Sequence, residues 1–289
     1  MASDLTDPIP LPEPIFVNSS DEVRLAVYDF GGDGPDILFA HATGFCAGVF
    51  TPIISQLDVG RVAALDFRGH GRSSAPATSM DWHGTATDVH TAIETLGLNN
   101  PFAVGHSMGG AALILAEESR PGTFRGMWLF EPIIFPEAIR STSGDNPLVS
   151  GALRRRATFD DADSAFANFS SKPPFNALDA QALRAYVRDG FATNEDGSVT
   201  LRCRPEVESA TYEFGPRHDA FENLDAVKIP VTILRGAEAP MSPSQLAPVI
   251  VEHLPNATLE DHPELGHFGP LENPESMARS IKLAVTASQ

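Results

Sequence analysis

Gly105-His106-Ser107-Met108-Gly109 sets a serine between two glycines, after the apolar run Phe102-Ala-Val and before helical spacing that reaches Arg120. A strand that turns sharply into a helix at such a serine lifts its hydroxyl clear of the sheet. The glycines let neighbouring backbone approach where a Cβ would clash. The free N–H groups of the helix's first turn face an oxygen that gains negative charge there. A serine nucleophile beside amide donors is the apparatus of acyl transfer. The pattern is short, however, so the chemistry needs partners: an upstream loop with a second amide donor, and a downstream acid and histidine.

The elements required to position that turn are legible. Val23-Arg-Leu-Ala-Val-Tyr alternates apolar and polar residues as a half-buried strand does. Asp36-Ile-Leu-Phe-Ala, Val62-Ala-Ala-Leu-Asp, Phe102-Ala-Val-Gly, Met127-Trp-Leu-Phe and Val231-Thr-Ile-Leu are short, nearly continuous apolar runs of the kind buried in a parallel sheet. Helical spacing over 84–97 and 107–120 falls between them, which predicts an α/β fold. The rhythm breaks after Phe130. Residues 132 to about 225 show helical spacing at 162–170 and 178–188, separated by Lys172-Pro-Pro, and a turn at Asn194-Glu-Asp-Gly. The predicted organisation is a core of 1–131 and 226–289, with a mostly helical cap, 132–225, inserted over the sheet's C-terminal edge.

Composition narrows the partners. The 289 residues carry 38 acidic and 20 basic side chains, a net charge of −18, which disfavours nucleic acid and anionic membrane. The basic triplet Arg154-Arg155-Arg156 reads as a solvated helix face rather than an anion site. No apolar run approaches the ~20 residues that span a bilayer. The N-terminus has no basic, apolar export signal, so the expected location is cytoplasmic. Two cysteines, Cys46 and Cys203, form no metal-ligand or disulfide pattern and read as small buried hydrophobes.

Four blocks in order carry a resemblance: His41-Ala-Thr-Gly-Phe, Asp66-Phe-Arg-Gly-His-Gly-Arg-Ser, Gly105-His-Ser-Met-Gly-Gly and Gly266-His267-Phe-Gly-Pro-Leu-Glu-Asn-Pro. Over nearly its whole length the chain resembles the α/β-hydrolase-fold superfamily. The resemblance implies a mostly parallel eight-stranded sheet flanked by helices, and a serine esterase or lactonase with no metal or organic cofactor. It makes Ser107 the nucleophile and His267, after the last strand-like stretch, the base. It also implies an oxyanion hole from the Met108 and Thr43 amides, and loop-organising roles for Asp66 and Arg68. His41 and His106 read as structural, and His70, His83 and His90 as surface or locally bonded.

The acid departs from the family's pattern. Most members place an aspartate after the seventh strand, three residues past a glycine; here that position is Ala239. Glu131, ending the sixth strand in Met127-Trp-Leu-Phe-Glu-Pro, matches a subset that carries its acid there. Glu238 lies one residue before the vacant position, where the side-chain direction changes. Glu131 is therefore the expected acid and Glu238 the alternative.

A serine at the elbow points to an acyl-enzyme from an ester, lactone, thioester or activated amide. Phe45, Phe135 and Phe268 are candidate lining for a pocket under the cap, suited to a small or medium hydrophobic ester or lactone handled by a monomer or homodimer. Three other readings stand beside it. They are a carbon–carbon hydrolase of ring-fission products, a cofactor-free perhydrolase or haloperoxidase, and a non-catalytic ligand-binding protein on a hydrolase scaffold.

Overall fold

Every residue of Phe102–His106 is buried, and alternate side chains enter opposite layers. Val104 joins a cluster with Phe39, Trp128 and Phe130, whereas Ala103 joins one with Leu38, Met127 and Leu129. A strand buried on both faces needs strand neighbours for its edges and helices for its faces. The computed structural model, which describes residues 9–140, 146–239 and 242–288, provides both.

The core begins with β1 (Ile15–Asn18), β2 (Arg24–Gly31), β3 (Asp36–Ala40), α1 (Thr51–Ile54), β4 (Arg61–Asp66), α2 (Trp82–Leu96), β5 (Phe102–His106), α3 (Met108–Ser119) and β6 (Gly126–Phe130). The insertion follows with α4 (Glu137–Arg140), α5 (Pro147–Leu153), β7 (Thr158–Phe159), α6 (Ala162–Ser170), α7 (Ala180–Asp189), β8 (Phe191–Thr193), β9 (Val199–Leu201) and α8 (Pro205–Phe214). The core resumes with β10 (Val231–Arg235), α9 (Ala247–His253), β11 (Ala257–Asp261), α10 (Gly269–Glu272) and α11 (Pro274–Ala287). Helix limits follow local chemistry. The Asp81 carboxylate caps α2 by accepting from the His83 amide, and Gly97 ends it in the left-handed region.

The eight core strands run in the order β1-β2-β4-β3-β5-β6-β10-β11, antiparallel at β1/β2 and β2/β4 and parallel elsewhere. From β3 the chain passes outward to β4 and returns to β5 on the other side of β3. The loops after β3 and β5 therefore part at the sheet's C-terminal edge, where α/β folds bind ligands.

The insertion departs from the expected helical pattern in one respect. Among its described residues, besides four longer helices, it holds a three-stranded antiparallel sheet, β7-β9-β8. Its β8–β9 turn is the anticipated one at Asn194, closed by the Asn194 amide bonding the Ser198 carbonyl at 2.8 Å. Phe169, Leu183 and Tyr186 of the insertion share a cluster with Phe45 and Phe39 of the core, so one apolar layer joins the two. No helix among the described residues is long and apolar enough to cross a membrane.

Candidate active site

Ser107 occupies the single residue between β5 and α3, at φ 56° and ψ −115°. A non-glycine residue in that region costs roughly 1–3 kcal/mol and needs surrounding structure to hold it. Here the Ser107 amide donates to the Phe130 carbonyl at 3.0 Å, while the Ser107 carbonyl accepts from Ala111 and Ile133. Both glycines of the pentapeptide are required by close approach. A Cβ on Gly105 would lie 2.8 Å from the Gly110 Cα, and one on Gly109 would collide with the Ala40 carbonyl oxygen.

Parallel register brings the remaining groups to the same edge. Phe130 pairs with Leu234, so Glu131, at the end of β6, lies beside the end of β10. The Glu131 amide donates to the Leu234 carbonyl at 2.9 Å, and the backbone adopts φ 44°. Its carboxylate is fully buried and doubly engaged. Oε1 accepts from the Gly236 amide at 2.8 Å, and Oε2 accepts from His267 Nδ1 at 2.6 Å. With its proton on Nδ1, His267 presents a lone pair at Nε2, 3.1 Å from Ser107 Oγ, whose hydroxyl donates to it. Ser107, His267 and Glu131 thus form one hydrogen-bonded line. Such a line can move the serine proton onto the imidazole and balance the resulting charge.

Glu238 stands apart from this line. Its side chain is 67% exposed and bonds Arg235 Nη1 at 2.7 Å. Two residues past Gly236 instead of three, it turns outward to Arg235, while the Gly236 amide turns toward Glu131.

The other histidines have separate structural duties. His106 is buried, and its Nε2–H donates to the His267 carbonyl at 2.8 Å, anchoring the loop that carries His267. Burial, aided by the nearby His267 ring, holds its pKa well below the usual histidine value. Burial also lowers His41 to about 4 and His70 to about 3. His41 donates from Nδ1 to the Ala42 carbonyl and accepts the Phe67 amide at Nε2, tying the β3 loop to the β4 loop. Of the two alternatives for His70, surface or locally bonded, the structure shows the second. It is wholly enclosed, with Nδ1 on the Arg68 carbonyl. Asp66, whose pKa burial raises, accepts from the Ala47 and Arg72 amides and the Tyr28 hydroxyl; Arg68 grips Asp88 with two bonds of 2.9 Å. Cys46 and Cys203 are buried, which pushes both thiols up and away from thiolate chemistry.

Thr43 lies just past β3, whose Ala40 is paired with Gly105, and the first turn of α3 lies against the Ala40 and His41 carbonyls. Met108 opens α3 and is fully buried. A cavity of about 640 Å³ is lined by Thr43, Phe45 and Phe268 together with the insertion. Phe45 and Phe268 meet edge to face at 5.2 Å. Phe135 does not join them. It packs in the opposite layer, against the cluster that holds Met108 and Ile134, because the chain after Glu131 turns beneath the elbow before entering the insertion. The Arg154–Arg156 triplet, expected to face only solvent, lines the cavity, as does Lys172. Contiguous charge carries no signal for this, because which side of a segment is enclosed depends on what folds over it.

Comparison with known proteins agrees with this architecture. The family model described as "Alpha/beta hydrolase family" matches residues 37–280. A 2-(acetamidomethylene)succinate hydrolase from Mesorhizobium japonicum is 29% identical over 211 residues, 71% of each chain. A non-heme chloroperoxidase from Burkholderia pyrrocinia is 25% identical over 262 residues, 87% of this chain and 92% of its own. The crystal structure of an E-2-(acetamidomethylene)succinate hydrolase superposes with a TM-score of 0.79 at 23% identity, over 95% of this chain and all of that one. The matched span runs from β3 to α11 and takes in every residue of the Ser107–Glu131–His267 line, and on it this chain belongs to the alpha/beta hydrolase family.

Proposed function

We propose that this hydrolase cleaves a carboxylic ester or lactone through an acyl-enzyme on Ser107. The observation that carries the reading is the bonded line from Ser107 Oγ through His267 to the buried Glu131 carboxylate. Ser107 Oγ attacks the carbonyl carbon while its proton passes to His267 Nε2. The tetrahedral oxyanion is received by the Met108 and Thr43 amides, for which the close packing of α3 on the end of β3 is the support. Collapse expels the alcohol, which takes the proton from His267. Water, deprotonated by the same nitrogen, then releases the acid and restores the serine. Glu131 orients the ring through its bond to Nδ1 and offsets the imidazolium.

A fluorophosphonate probe tests the reading directly. Wild type should be labelled stoichiometrically and Ser107→Ala not at all; an unlabelled wild type ends the proposal. The relative named as a non-heme chloroperoxidase favours a second reading of the same site. Hydrogen peroxide in place of water would intercept the acyl-enzyme to give a peracid. Peroxide-dependent halogenation that requires Ser107 would decide for it.

A further inference from the structure

The cavity beside Thr43 and Phe268 has two kinds of wall. Near the proposed oxyanion loop it is aromatic, with Phe45, Phe175 and Phe268 within 6 Å of one another by ring centroids. Elsewhere Arg154, Arg155, Arg156 and Lys172 line it, and Glu208 is the one carboxylate among the described lining residues. In a chain with 38 acidic and 20 basic residues this is a local inversion of charge. A cavity for a wholly apolar ester has no need of it.

The four cations are not equivalent. Arg155 is neutralised internally, bonding Glu208 Oε2 at 2.5 Å and the Tyr186 hydroxyl at 2.7 Å. Arg156 lies 3.5 Å from Asp160 and donates to the Thr158 carbonyl. Among the described residues the Lys172 ammonium bonds only the neutral Asn168 Oδ1, at 2.7 Å, and no described carboxylate pairs with either Lys172 or Arg154. Two exposed positive charges thus line one cavity without counter-charge among the described residues, in a molecule whose net charge of −18 repels anions at a distance. A local positive wall in a cleft focuses anionic ligands against such a background.

We infer that the acyl substrate carries a second, ionised carboxylate remote from the carbonyl attacked by Ser107, received by Arg154 and Lys172 while the aromatic wall holds the chain between. The inference rests on the hydrolase reading and narrows its substrate class. It replaces the expectation of a purely hydrophobic ester.

Mono-4-nitrophenyl glutarate and 4-nitrophenyl pentanoate, esters of similar length that differ in the terminal charge, test it. Wild type should favour the anionic ester by about tenfold in kcat/KM at low salt, and the preference should shrink between ~0.02 and ~0.5 M salt as screening grows. The double variant Arg154→Gln/Lys172→Gln, at exposed positions, should lower the anionic-to-neutral ratio at least fivefold, mainly through KM. A ratio that is near unity and indifferent to salt in wild type, or that is the same in the double variant, overturns the carboxylate site while fluorophosphonate labelling leaves the hydrolase reading standing. Calorimetric binding of the glutarate ester to Ser107→Ala, with and without the double substitution, separates the opposite failure. Salt-sensitive binding lost with the two cations supports the site even where neither ester is turned over.

Discussion

Replacing Glu131 with glutamine preserves shape and removes one charge, and the structure determines how the amide must sit. The Gly236 amide donates to Oε1 at 2.8 Å, so the glutamine carbonyl oxygen keeps that bond and the NH2 group turns toward His267. The group facing Nδ1 across 2.6 Å is then a donor. His267 can satisfy it only by moving its proton to Nε2, the nitrogen that must accept the Ser107 proton. The substitution therefore inverts the tautomer and also removes the counter-charge of the imidazolium. Loss of that acceptor costs about 10⁴ in kcat, roughly 5.5 kcal/mol of activation free energy. Burst kinetics with 4-nitrophenyl acetate should show the acylation phase slowed by that factor, and the fluorophosphonate labelling rate should fall in parallel. Thermal denaturation should show the Glu131→Gln variant folded. Glu238→Gln should stay within about twofold of wild type, since exposed ion pairs such as Glu238–Arg235 contribute ~0–1 kcal/mol. Acylation within fivefold of wild type in Glu131→Gln, or a comparable loss in Glu238→Gln, would refute the assignment.

Two further outcomes follow from buried charge. Burial, reinforced by Asp219, Glu222 and Asp225, raises the Glu118 carboxyl from its ordinary 4.5 to about 9, and its Oε1 is buried without a partner. The folded form keeps the proton that the unfolded chain releases, so the stability this group contributes is complete below 4.5 and is lost as pH rises toward 9. Glu118→Gln cannot titrate. Its Tm should match wild type near pH 4.5 and exceed it by a gap that widens steadily as pH rises toward 8; a gap that does not grow with pH would count against the protonated carboxyl. Arg155→Met leaves the enclosed Glu208 carboxylate without its partner and should cost about 3–5 kcal/mol in urea denaturation. Adding Glu208→Leu should recover most of it, and equal stability of the single variant and wild type would show the pair to be idle.

What the sequence discloses here depends on how locally a constraint is written. The elbow is legible because one strained serine demands small neighbours two residues to each side, all within five positions. Alternating buried strands and helices are legible because each apolar run is long enough to show its period. The β7-β9-β8 sheet is not, since strands of two and three residues have no period to read. The enclosure of His70, of which only the local bonding was anticipated, and the placing of Phe135 escape the sequence for a shared reason. Burial of the first depends on the Asp66 loop folding back over His41, and the direction of the second on a turn beneath the sheet, and neither leaves a mark on adjacent residues.

The acid shows the same principle at the site itself. Sequence leaves two glutamates open, because a carboxylate's reach is a matter of strand register. Once Phe130 is paired with Leu234, Glu131 and Gly236 become neighbours across the β6–β10 boundary. The end of β10 then contributes a backbone N–H to the Glu131 carboxylate instead of a side chain to His267. Ser107 and Glu131, at φ 56° and 44°, are the strained ends of adjacent parallel strands, and the Ser107 amide is bonded to the Phe130 carbonyl. Two such residues, each costing roughly 1–3 kcal/mol, persist only where packing over-determines them. The packing and the hydrogen bonds together hold both groups in place for His267, so in the proposed reaction little reorganisation remains to be done.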